Sequence, residues 1–132
     1  MKVITVAAAV IVNELNQILL VRKKNTQCFM QVGGKLEKNE APEMALLREV
    51  AEEIGVEGVI ESFIGRYETA TANEPDHRLI SYVYHLDVKA QPQIMAEIEE
   101  MVWLDVSQIT QIPLAPLTQE IVIPWVKQHF LN

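Results

Sequence analysis

Three glutamates in the first half of the chain have the spacing of a metal site. Glu49, Glu52 and Glu53 are three and four residues apart, so on a helix they would share one face. Carboxylates at this spacing repel one another, and near a helix C-terminus they also oppose the macrodipole. A hard divalent cation such as Mg²⁺ or Mn²⁺, which takes oxygen ligands, would turn that repulsion into attraction. The alternative interpretation is a solvated acidic face.

The helix that would carry these glutamates has clear start and stop signals. Pro42 suits a first helical turn and Gly55 suits the left-handed residue just past a helix end, so the sequence predicts a helix over residues 41–54. At about 100° per residue, an apolar stripe lies nearly opposite the glutamates and is predicted to face the core. Its members are Met44, Leu47, Val50, Ala51 and Ile54.

A longer series of residues surrounds the glutamates. Between positions 34 and 56 it consists of Gly34, Glu40, Arg48, Glu49, Val50, Glu52, Glu53, Gly55 and Val56. This series matches every defined position of the Nudix box, and the chain therefore resembles the Nudix hydrolases. The resemblance implies an α/β fold of the Nudix type, an α/β/α sandwich in which a mixed sheet lies between the catalytic helix and a C-terminal helix. It also implies metal-dependent hydrolysis of a nucleoside diphosphate linked to another group.

The resemblance assigns ligands for Mg²⁺ or Mn²⁺. The three helix glutamates and the carbonyl of Gly33 would bind the metal, and Gly33 and Gly34 would let the backbone turn tightly and approach a ligand. A further glutamate often stands close before the strand predicted at residues 101–104. Glu100 is nearest to that position, Glu97 is the alternate, and a solvated acidic turn is the competing interpretation.

Two further roles follow for the box. Glu52 or Glu49 is expected to take the proton from the attacking water, with Glu100 also open for that role. Arg48 is expected to pair with Glu40 and so to orient the carboxylates of the helix.

Substrate contacts are expected on both sides of the box. Arg22 and Lys23, followed by a third cation, end a predicted strand and could meet phosphate, although a solvated strand end is the usual meaning of such a cluster. Phe29, or a polar loop over residues 69–78 that contains His77 and Arg78, could meet the base. Thr118 stands where an asparagine that reads oxidised guanine is often found in this family, so that readout is not expected.

Composition limits the classes of partner. The chain has 132 residues, 49% of them hydrophobic, enough for a single domain over residues 1–132. A net charge of −7 argues against a nucleic-acid polymer and leaves a small nucleotide delivered with its metal. Cys28 has no cysteine partner, which favours a reduced, cytoplasmic compartment. The apolar runs are too short for a membrane span, so no membrane partner is expected.

Strands are predicted at residues 3–12, 18–21, 29–32, 59–68, 79–88 and 101–104. A second helix is predicted from about residue 114 to residue 130, bent near Pro124. Its buried face should contain Leu117, Ile121, Val122 and Trp125.

Three functions remain open from the sequence. The small domain resembles enzymes that split a nucleoside triphosphate into monophosphate and pyrophosphate. Hydrolysis of ADP-ribose or of a nucleotide sugar is the alternative among enzymes, and a nucleotide-binding regulator without turnover is the alternative from another class. Because no carboxylate of the box is missing, the sequence favours an enzyme. The resemblance leaves both a monomer and a homodimer open.

Overall fold

The computed structural model describes residues 1–108 and 111–131. Its elements in chain order are β1 (Lys2–Val10), β2 (Gln17–Lys23), β3 (Val32–Lys35), α1 (Pro42–Ile54), β4 (Gly58–Ala70), β5 (His77–Val88), β6 (Ile98–Asp105), a π-helical segment (Thr118–Val122) and α2 (Ile123–Phe130). In these described parts of the chain, no helix is long and apolar enough to cross a membrane.

The main sheet has four strands in the order β3, β1, β5, β4. β1 runs parallel to β5, while the β1–β3 and β4–β5 pairs are antiparallel, so the predicted mixed sheet is confirmed. β2 and β6 form a second, two-stranded antiparallel sheet that the sequence did not predict. An isolated antiparallel bridge between Val21 and Met30 connects β2 to the segment that leads into β3.

Alternation along β1 creates two cores, one on each side of the main sheet. Ala7 and Ala9 belong to the core that α1 covers, together with Leu46. Ala8 and Val10 belong to the other core, which contains side chains of the C-terminal helical region. A sheet covered by a helix on each face is the α/β/α sandwich that the Nudix resemblance implies.

Helix α1 has the predicted limits, but its buried face is rotated from the predicted one. Gly55 is left-handed at φ 67°, as expected for the residue just past the helix. The buried side chains are Ala45, Leu46, Val50, Glu53 and Ile54. Met44 is 60% exposed and Ala51 is also exposed, so the predicted stripe was wrong for these two residues. The buried face instead includes Glu53, which accepts a hydrogen bond from the backbone N–H of Gly33 on β3.

The two glycines that precede α1 lie within a strand. Gly33 and Gly34 pair with Ala8 and Ala7 of β1, so the predicted tight turn at this place was wrong. Gly33 has φ 152°, and a Cβ on it would lie 2.1 Å from the carbonyl oxygen of Ala7. Glycine therefore permits the close pairing of β3 with β1.

The C-terminal helical region is irregular where the sequence predicted a bend. Residues 118–122 are π-helical and lead directly into α2, with Pro124 in its first turn. A proline has no backbone N–H, so a change in the hydrogen-bonding pattern at this point is expected. Leu117, Val122 and Val126 are buried, while Ile121 and Trp125 are only partly buried.

Candidate metal and nucleotide site

The carboxylate of Glu53 lies at the centre of the candidate site. Its side chain is only 8% exposed, and the backbone N–H of Gly33 donates a hydrogen bond to its Oε1 at 3.1 Å. Lys23 Nζ lies 3.6 Å from the other oxygen. Burial raises the pKa of Glu53 to about 7, against the opposing effects of Lys23 and of the Gly33 N–H. The positive charge nearby therefore compensates this buried carboxylate only in part.

Glu49 lies one turn earlier on the same face of α1, with a side chain that is 16% exposed. Burial raises the pKa of its carboxyl, Arg48 acts in the opposite direction, and the neighbouring Glu52 adds to the increase. A Cβ on Gly34 would lie 2.0 Å from Glu49 Oε2. A side chain at position 34 would therefore displace the Glu49 carboxylate from its place against β3.

Glu52 is the accessible member of the three, with a side chain that is 55% exposed. Its Oε2 lies 3.4 Å from Nη1 of Arg48, and the same guanidinium nitrogen lies 3.5 Å from Glu49 Oε2. One arginine therefore contacts both outer carboxylates, and Glu52 remains able to reach water.

Arg48 is itself fixed by the loop before α1. Its Nε and Nη2 donate to the two oxygens of Glu40, each at 2.9 Å, so the predicted pair is present and is bidentate. Nη2 also donates to the carbonyl of Lys35 at 3.1 Å, and the backbone N–H of Glu37 donates to Glu40. The hydrogen bonds from Arg48 lower the pKa of Glu40 to about 2. This network connects β3, the loop and α1.

A pocket of about 360 Å³ opens beside the carboxylates. Lys23, Gly33 and Gly34 line it and also contact Glu53 or Glu49, which are not themselves among the lining residues. Most other walls are aliphatic. They include Ile4, Val6, Ala8, Leu79, Ala115, Pro116 and Leu117, with Thr71, Ala72, Asn73 and Glu74 supplied by the loop between β4 and β5.

The pocket contains a buried polar pair, of which the sequence singled out Thr118 but not Gln31. Thr118 Oγ1 donates to Gln31 Oε1 at 2.9 Å, and Gln31 Nε2 donates to the carbonyl of Ala9 at 3.0 Å. Gln31 is 6% exposed and Thr118 is fully buried. The signal that could have indicated Gln31 is its position as a polar residue between the apolar Met30 and Val32, two residues before the first glycine.

The two candidates for a further acidic ligand lie in different places. Glu100 lies on β6 opposite Arg22 of β2, and Arg22 Nη2 is 2.7 Å from its Oε1. Glu97 lines the pocket together with Lys23 and Gly33. Of the two, the structure therefore brings only Glu97 to the pocket.

The residues predicted to contact the base lie outside the pocket lining. Phe29 is 6% exposed and packs in the core that contains the C-terminal helical region. His77 and Arg78 belong to β5, because β4 and β5 extend further than predicted and shorten the loop to residues 71–76. His77 Nδ1 instead lies 2.9 Å from the carbonyl oxygen of Pro75. The loop itself does reach the pocket, through Asn73 and Glu74.

The donors in the site fit a hard divalent cation. Within residues 1–108 and 111–131, no three His, Cys, Asp or Glu side chains converge on a single point in the way of a complete metal site. Glu49 and Glu53 nevertheless offer carboxylate oxygens from one helix face, and both have a raised pKa because their negative charge is buried. Such oxygen donors with uncompensated charge suit Mg²⁺ or Mn²⁺.

Comparison with known families decides the classification. The sequence model of the NUDIX domain matches residues 1–126. The chain belongs to the Nudix family. The matched range contains the whole of the box, which runs from Gly34 on β3 to Val56 just past α1, and the strands that surround it.

Individual Nudix relatives have several different names. An 8-oxo-dGTP diphosphatase of Haemophilus influenzae is 37% identical over 64% of this chain and 62% of its own length. An ADP-ribose pyrophosphatase of Methanocaldococcus jannaschii is 37% identical over 63% of this chain and 50% of its own length. A CTP pyrophosphohydrolase of Escherichia coli is 30% identical over 88% of this chain and 86% of its own length. The matches to the first two thus span only about half to three-fifths of those proteins.

The crystal structure of a MutT protein from Methanosarcina mazei Go1 has the same fold. It superposes with a TM-score of 0.79, covers 99% of this chain and 97% of its own, and is 22% identical. The Nudix architecture therefore extends over the whole described chain.

Proposed function

We propose that this protein hydrolyses a nucleoside triphosphate between the α and β phosphates, with Mg²⁺ or Mn²⁺, and releases a nucleoside monophosphate and pyrophosphate. The observation that carries the proposal is that three residues of the pocket lining contact the Glu53 and Glu49 carboxylates. Lys23, Gly33 and Gly34 each line the pocket and each contact Glu53 or Glu49. A nucleotide in the pocket would thus place its phosphates against the metal-binding face of α1.

The residues divide the work according to their exposure. Glu49 and Glu53, which are largely buried, would bind the metal, and Glu97 at the pocket edge is the better placed of the two further acidic candidates. When bound, the metal would neutralise phosphate oxygens and acidify a water molecule. Glu52, which is more than half exposed, would accept the proton from that water. Arg48, held by Glu40, would keep Glu49 and Glu52 in position.

Phosphate charge would be met by Lys23 from the end of β2. Its side chain is 32% exposed, its Nζ lies 3.6 Å from Glu53 Oε2, and the residue lines the pocket. Arg22 is bound to Glu100 and to the carbonyl of Thr26, so its guanidinium is engaged with protein groups. Of the two predicted phosphate contacts, the structure therefore favours Lys23.

Base selectivity is expected to be weak. The walls of the pocket are mainly aliphatic, and these contacts do not distinguish one base from another. The hydroxyl of Thr118 already donates a hydrogen bond to Gln31, and the side-chain amide of Gln31 donates one to the carbonyl of Ala9. The long match to a relative named CTP pyrophosphohydrolase supports a triphosphate substrate, while the relative named ADP-ribose pyrophosphatase favours that conjugate as the second candidate.

A panel of substrates separates these functions. The purified protein would be incubated with each nucleoside triphosphate, with ADP-ribose and with a nucleotide sugar, in Mg²⁺ or in Mn²⁺, and the products separated by ion-exchange chromatography. Monophosphate and pyrophosphate from several triphosphates support the proposal. Activity confined to ADP-ribose or the nucleotide sugar moves the protein to the second candidate, and tight nucleotide binding without turnover indicates a regulator.

A further inference from the structure

Lys23 has a position that differs from that of the other cations near the site. Its Nζ lies 3.6 Å from Glu53 Oε2, while its neighbour Lys24 is exposed. Arg22, on the other side, is paired with Glu100. Of these three consecutive cations, only Lys23 both lines the pocket and lies within 4 Å of Glu53.

The backbone around Lys23 holds its side chain in that place. The β2–β6 register shifts between Arg22 and Lys23, and this irregularity ends the regular strand pairing. The carbonyl of Lys23 then accepts hydrogen bonds from the backbone N–H and the hydroxyl of Thr26, at 3.2 and 2.8 Å. The next residue donates its N–H to the carbonyl of Glu97 at 2.8 Å. A backbone fixed on both sides keeps the Lys23 side chain anchored beside Glu53, while its flexible four-carbon stem lets the ammonium group move.

We propose, on the basis of the function proposed above, that Lys23 is a tethered cation that pairs with Glu53 in the metal-free protein, is displaced from it when the metal binds, and then contacts the nucleotide phosphates. Two cations near the same carboxylate oxygen repel each other, so binding of the metal must weaken the Lys23–Glu53 ion pair. The released ammonium group remains at the pocket edge, where the phosphates of a nucleotide would lie. Lys23 would therefore oppose metal binding and favour substrate binding.

Opposite effects on the two ligands follow for Lys23→Met. Removing the competing charge should tighten binding of Mn²⁺ to the nucleotide-free protein about tenfold, the size expected for loss of one partly exposed charge close to the site. The KM for a nucleoside triphosphate at saturating Mn²⁺ should rise at least about fivefold, because one contact with the phosphates is lost. Calorimetric titration measures the first quantity and steady-state kinetics the second.

Lys24→Met is the matched control, because it removes the same charge from the adjacent, exposed position. It should change Mn²⁺ affinity and KM by no more than about twofold, since exposed charges are screened by salt. Lys23→Gln serves as a second variant with a polar side chain and should give the same pair of effects. Thermal unfolding adds a readout: Lys23→Met should lower the Tm of the metal-free protein at pH 8 and lose that deficit when Mn²⁺ is added.

Each result decides between the proposals. Unchanged or weaker Mn²⁺ binding by both Lys23 variants overturns the tethered-cation role, and so does equal tightening in the Lys24→Met control, which would indicate a general charge effect. An unchanged KM overturns the phosphate contact. If the unaltered protein does not bind Mn²⁺ at all, the metal site and the function proposed above fall together with this inference. If it binds Mn²⁺ and hydrolyses a triphosphate while the Lys23 variants behave like the control, this inference alone fails.

Discussion

Replacing Glu53 by glutamine should abolish most activity and at the same time stabilise the metal-free protein. Burial raises the pKa of Glu53 from 4.5 to about 7. A change of that size corresponds to about 3 kcal/mol of unfavourable free energy for the ionised form in the fold. Glutamine has the same shape, keeps an oxygen that can accept from the Gly33 N–H and carries no charge.

The sign of the stability effect depends on pH. A carboxyl with a raised pKa in the folded state destabilises the fold only where it is ionised. This penalty is absent below pH 4.5, grows as the pH rises and reaches its full size above about pH 7. The favourable effect of Lys23 is already included in this pKa, and burial of a polar amide offsets part of the gain, so we expect Glu53→Gln to be about 1–3 kcal/mol more stable at pH 8. For a domain of this size that is about 4–12 °C in Tm.

Thermal unfolding in EDTA at pH 5 and at pH 8 tests this expectation. Glu57→Gln is the control, because Glu57 is an exposed glutamate just past the end of α1. The gap between Glu53→Gln and the unaltered protein should be small at pH 5 and large at pH 8. A variant that is less stable than the unaltered protein at pH 8, or one that keeps full turnover with Mg²⁺, would refute the metal-cluster reasoning. The first result would indicate that Glu53 has a structural role in an ion pair.

Three further substitutions test separate parts of the site. Arg48→Lys cannot make the bidentate contact with Glu40, so kcat should fall about 10- to 100-fold with little change in KM, measured by steady-state kinetics. Gly34→Ala would place its Cβ against the flexible end of Glu49, so calorimetry should show Mn²⁺ affinity reduced at least about tenfold while circular dichroism shows an intact fold. Thr118→Val would leave the buried Oε1 of Gln31 without its donor, and chemical denaturation should show that the free energy of unfolding falls by about 1–3 kcal/mol. Unchanged values in these assays would contradict the corresponding contact.

The limits of α1 were predictable because they depend on local chemistry. Pro42 and Gly55 favour helix ends through their own backbone properties, and both are found where the sequence placed them. The family and the mixed-sheet sandwich could also be predicted, because the Nudix box is a pattern of residues at fixed spacing in the sequence. The pairing of Arg48 with Glu40 also follows from the box and is present.

Features that depend on distant partners could not be predicted from local patterns. The buried face of α1 includes Glu53, which accepts a hydrogen bond from Gly33, twenty residues earlier in the chain. The second sheet joins β2 to β6, and no local sequence pattern indicates that Leu19 pairs with Trp103. The burial of Phe29 results from its pairing with the segment around Leu114. Each of these requires the tertiary arrangement.

Product analysis by ³¹P NMR tests the central claim most directly. The protein would be mixed with a nucleoside triphosphate and Mg²⁺, in parallel with Glu53→Gln and with a sample in EDTA. We expect equal amounts of nucleoside monophosphate and pyrophosphate from the unaltered protein with Mg²⁺, and almost none from the other two samples. Release of orthophosphate with a nucleoside diphosphate, or the same turnover in Glu53→Gln or in EDTA, would contradict it.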